Sequence, residues 1–82
     1  MTNEAIEILK AARKKHVHSL TEFGMWQRES ESPDCDSEML ASFEAAWRDS
    51  DSTCRGLLKA YSILTGRKIY PHQIKEELTA IS

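Results

Sequence analysis

Apolar residues recur at steps of three and four along two long stretches of the chain. Ile6, Leu9, Arg13, His16, Leu20 and Phe23 form one seam. Leu40, Phe43, Trp47, Ser50, Cys54, Leu57, Tyr61 and Leu64 form the other. Such steps hold every member on one side of a helix, the arrangement two packed helices share. The pattern therefore predicts an all-α fold, a long antiparallel helical hairpin.

Local chemistry sets the expected bounds. Thr2 or Asn3 can cap the free N–H groups of a first helix, Glu4 and Glu7 suit its positive end, and Gly24 is a natural stop. The prediction is a helix over 4–23. Residues 25–36 show no periodicity and contain the turn residues Ser32-Pro33-Asp34. They read as an acidic loop, disordered around 29–35, with Met25 and Trp26 folded over the end of the hairpin. Asp36 or Ser37 begins the second helix. Its run Asp49-Ser50-Asp51-Ser52-Thr53 has poor helix propensity, yet the seam crosses that run in phase. A loop would rarely preserve the register, so phase outweighs propensity and predicts one helix over 37–65, with a kink near Ser50 as the alternative. Gly66 closes it. Pro71 suits the start of a short C-terminal third helix over 72–81, with Ile74, Leu78 and Ile81 inward and Lys75, Glu76 and Glu77 outward.

A turn over 25–36 sets Phe23 beside Leu40. Antiparallel pairing then puts His16 level with Trp47, Arg13 with Ser50, Leu9 with Cys54 and Ile6 with Leu57. The polar members of both seams fall at one height and predict a polar core layer of Arg13, His16 and Ser50. Asp49 or Asp51 is expected to pair with the guanidinium, because a lone buried charge is costly. Such a layer fixes register, and its functional reading is a small-ligand pocket. Beyond Leu57 the second helix outruns the first, so Tyr61 and Leu64 need cover from the third helix or from a second copy. Both hold if hairpins pair into a homodimeric four-helix bundle.

Composition narrows the class. Eighty-two residues make one domain, and a chain this short buries only about 60–65% of its unfolded surface, which favours a partner subunit. Hydrophobic content of 40% beside 29% charged residues suits a folded, water-exposed helical protein. No run reaches the ~18–20 apolar residues of a membrane span. The N-terminus lacks a basic region followed by an apolar run, and Cys35 and Cys54 read as free thiols. A cytoplasmic protein is expected.

Candidate chemistry is sparse. His16 and His18 point to different sides of a helix and cannot share a metal; Cys54 lies on the apolar seam as a small core residue, and Cys35 between Asp34 and Asp36 has its thiolate disfavoured. The reading assigns no catalytic residue, metal or cofactor, and expects a protein that is not an enzyme. Arg48, Arg55 and Lys59 share a helix side and, with Arg67 and Lys68, are the candidates for nucleic-acid contact. Glu44 and Asp51 stand four residues before Arg48 and Arg55, an orientation that neutralises the stripe, so nucleic acid is disfavoured. Ile8, Trp26, Ala60, Ile63, Ile69 and Tyr70 are left outside the seams as a candidate partner surface. The leading expectation is protein–protein binding by a small homodimeric regulator or inhibitor. Its competitors are a DNA-associated regulator and a small-ligand binder using the polar layer.

Overall fold

The computed structural model describes residues 2–81. Helix α1 spans Asn3–Glu31 and α2 spans Ser37–Thr65; a 3₁₀ turn at Pro71–Gln73 leads into α3, Ile74–Ile81. Among the described residues there is no strand. The first two helices pack as an antiparallel hairpin in a body 50 Å long, and α3 folds back over its open end.

Helix α1 begins where expected, with Thr2 Oγ1 accepting from the Ala5 N–H at 3.3 Å. It does not stop at Gly24. A glycine inside a helix costs about 1 kcal/mol relative to alanine, and aromatic packing offsets that cost. Trp26 stacks on Phe23 with ring centroids 5.8 Å apart, and Phe23 meets Trp47 edge-on at 5.4 Å. The helix ends where Pro33 forces an extended backbone on Ser32, whose ψ is 136°. The predicted loop over 25–36 is thus a loop only at 32–36, and its first seven residues belong to α1. Glu29 Oε1 accepts from the Asp36 N–H at 3.0 Å across the turn, and Asp36 Oδ1 caps α2 at the Glu38 N–H, 2.9 Å away.

Lengthening α1 moves the pairing. Phe23 lies against Trp47 rather than Leu40, seven positions further along α2 (47 − 40). A slip of seven is one heptad, which returns a helix to nearly the same face. The inward face of α2 is therefore close to that expected while its partners differ. Helix α2 is continuous through 49–53, as the phase of its seam required, and buries Ser50, Cys54, Leu58 and Tyr61. On α1 the buried positions are Ala5, Leu9, Ala12 and Ser19. These replace Ile6, Arg13 and Leu20 of the expected seam with smaller residues one position earlier, which allows the two backbones to approach closely.

Gly66 ends α2 with φ 73°, a left-handed conformation that glycine adopts without strain, and its N–H reaches Ser62 O at 2.8 Å. Pro71 then opens the 3₁₀ turn, and Gln73 Oε1 accepts from the Tyr70 N–H at 2.8 Å. Ile74 enters the core beside Ala5, Leu9, Ala12, Cys54, Leu58 and Tyr61, with Leu78 and Ile81 packed at its edge.

Candidate functional site

The expected polar layer does not assemble. Ser50 is buried, but its hydroxyl donates to Glu22 Oε1 at 2.7 Å, not to a group near Arg13. Arg13 is exposed and His16 half-buried; Asp49 is exposed, and Asp51 accepts from Arg55 Nε at 3.0 Å. The longer α1 explains the change, because it slides Glu22 rather than Arg13 to the height of Ser50. A hydroxyl at this point of the seam was legible as a polar core position. Its partner was not, since Glu22 lies off the expected stripe.

A different polar cluster holds the open end. Tyr61 is fully buried, and its hydroxyl donates to Glu77 Oε2 at 2.6 Å. Arg67 grips the same carboxylate with two bonds, Nε to Oε2 at 2.6 Å and Nη2 to Oε1 at 2.7 Å. Glu77, expected to face outward, is therefore buried. The Arg67 hydrogen bonds hold its pKa below the usual carboxylate value despite burial. Burial, with the Glu77 hydrogen bond, pushes Tyr61 up to about 12. This planar two-bond pairing ties the 66–70 link to α3 and α3 to α2. It is a structural clasp, buried at Tyr61 and Glu77 and exposed at Arg67.

The basic candidates are largely engaged. Arg48 pairs with Glu44 at 2.8 Å and lies over the Trp47 ring, Arg55 is held by Asp51, and Arg67 by Glu77. Lys68 sits over the Tyr70 ring at 5.7 Å. Lys59 is exposed. The five therefore do not form a free cationic strip.

The candidate partner surface divides. Ile8 and Ile69 pack against the core, and Trp26 covers Phe23. Ala60 is half-buried, Tyr70 is stacked with His72, and Ile63 is 77% exposed, beyond the reach of α3. Leu64, expected to be covered, is half exposed. Beside it an uncharged stripe runs along α2, in which Phe43 and Leu64 of the expected seam and Ala60 of the candidate surface are joined by Met39, Ala46 and Thr53 at steps of three, four and seven. Met39, Thr53 and Leu64 stand open to solvent on it.

On the outer side of α1, two adjoining recesses share Arg13 and Val17. The larger, about 570 Å³, is lined by half-buried Ile6, Leu78 and Ile81 and by exposed Lys10, Lys14 and His18. The smaller, about 220 Å³, gathers His16, His72 and Lys75 around Arg13, with Pro71 and Ile74 behind. Among the described residues no acid lines either one.

Cys54 is buried, and burial raises its thiol pKa, with Asp51 adding to the effect; Cys35 is exposed in the turn. Comparison with family models, with curated proteins and with solved structures returns no match.

Proposed function

We propose that this chain works by binding rather than by catalysis, as a small helical regulator or inhibitor that docks the outer stripe of α2 against another helix pair, in the first place that of a second copy. The observation that carries this reading is the uncharged stripe from Met39 through Ala46, Thr53 and Ala60 to Leu64, left partly open on a chain whose residues are 29% charged. Small uncharged residues at heptad spacing (Ala46, Thr53 and Ala60) between the large Met39 and Leu64 suit the close packing of parallel or antiparallel helices. A face without charge has no electrostatic demand on its partner and is compatible with itself, which favours a two-fold homodimer. Ile63, beside Ala60 and Leu64, extends the same surface.

Binding to DNA is supported less well, because Arg48, Arg55 and Arg67 already hold carboxylates. Sedimentation of the wild type beside Leu64→Glu tests the proposal. The expected result is a wild-type dimer and a variant monomer of equal helicity by circular dichroism. A wild type that stays monomeric at every concentration would sink the homodimer, and a variant dimer would move the interface away from this stripe.

A further inference from the structure

The paired recesses between α1 and α3 carry an inference independent of the α2 stripe. They adjoin at Arg13 and Val17, and both combine basic with apolar side chains. The larger part is lined by Ile6, Leu78 and Ile81, each half-buried, and its volume lies in the range of small-molecule sites. The smaller part collects Arg13, His16, His72 and Lys75 with no acid among the described residues of its lining. The nearby cations are little engaged within the fold. Among the described residues Arg13 and Lys14 make no ion pair within 4.0 Å, and Lys10 reaches only Glu7, at 3.8 Å in full solvent. Of the two acids of α3, Glu77 is turned away into the grip of Arg67, and exposed Glu76 is not among the residues that line the groove.

We infer that this groove binds a single anionic amphiphile, a free long-chain carboxylate, with its head between Arg13 and Lys75 and its chain laid along Ile6, Leu78 and Ile81. A carboxylate matches the donors of a guanidinium in a two-bond fork, and an ammonium beside it adds charge. The apolar lining removes the chain from water. A membrane surface fits less well, because Ile6, Leu78 and Ile81 are half-buried rather than presented outward.

The test is calorimetric titration of the intact protein with sodium dodecanoate below its micelle threshold, beside dodecyltrimethylammonium and vesicles of phosphatidylglycerol. Saturable binding of one dodecanoate per chain is expected, with little response to the cationic amphiphile. Arg13 is exposed, so Arg13→Gln should fold normally and weaken dodecanoate about tenfold, the loss of a charge-assisted hydrogen-bond pair. Ile6→Asn, checked for unchanged helicity, should weaken it as well. Absent saturation, equal binding of the cation, or an Arg13→Gln variant that binds like wild type would each overturn the proposal. Binding to vesicles without binding of monomeric dodecanoate would also overturn it, in favour of a bilayer.

Discussion

At the open end of the hairpin, α3 supplies Ile74 and the 66–70 link supplies Arg67, and there every buried apolar side chain of the core is found, from Ala5, Leu9 and Ala12 to Cys54, Leu58 and Tyr61. Towards the turn, α1 and α2 have only each other. Phe23 is 40% exposed, Met25 and Met39 stand open, and the Trp47 Nε1 is buried without a hydrogen-bond partner. Two helices present one line of contact and cannot enclose large side chains on both flanks; a third element is needed to surround them. The aromatic trio Phe23, Trp26 and Trp47 gains ring–ring contact but not full burial.

That contrast yields its largest test in paired truncations. Leu9→Ala at the open end, which α3 covers, should lose about 2–5 kcal/mol, the range for emptying a fully enclosed leucine site. Phe23→Ala near the turn should lose about 1–2 kcal/mol, because much of the ring is already in water. Both are read by urea denaturation. Equal losses would mean that the half near the turn is enclosed in solution, for instance by a second copy, and dilution would then separate them.

The clasp sharpens the comparison through pH. Glu77 has a lowered pKa in the folded chain, so its contribution is complete above the ordinary glutamate range and is lost as pH falls through the folded value. Tyr61 has a raised one, so its contribution is complete below about 10 and is lost as pH rises towards about 12. Melting curves of Glu77→Gln should lack the acid decline attributable to this site, and those of Tyr61→Phe the alkaline one. Unaltered profiles in both variants would show that the clasp contributes little to folding.

The smallest effect concerns the extension of α1. A Cβ placed on Gly24 meets nothing within 4 Å, and the residue is inside a helix. Gly24→Ala should therefore stabilise the protein by about 0.5–1 kcal/mol. A loss of stability would indicate that the helix breaks there.

The hairpin, the third helix and the continuity of α2 through 49–53 were legible in the chain, because periodicity over many residues outweighs the weak preferences of any five. The end of α1 was not. Gly24 carries a local signal to stop, and the signal to continue comes from Trp47, which is remote in sequence and packs on Phe23 only once the hairpin has closed. From that one displacement follow the loss of the expected Arg13–Ser50 layer and the choice of Glu22 as the partner of Ser50. The clasp was hidden for a related reason. Glu77 sits one position before Leu78 on a short helix, and nothing local reveals that Arg67 and Tyr61 will reach it.

Helix identity, and for α2 nearly the face it turns inward, are properties of spacing, and spacing is written in the chain; on α1 the buried face lies one position earlier than its apolar seam. Which residue meets which is settled by where the chain reverses and by what the third helix covers. A slip of one heptad leaves the face of a helix nearly unchanged while exchanging all of its partners. The groove between α1 and α3 belongs to that second kind, since Arg13 and Lys75 come together only after the fold has closed.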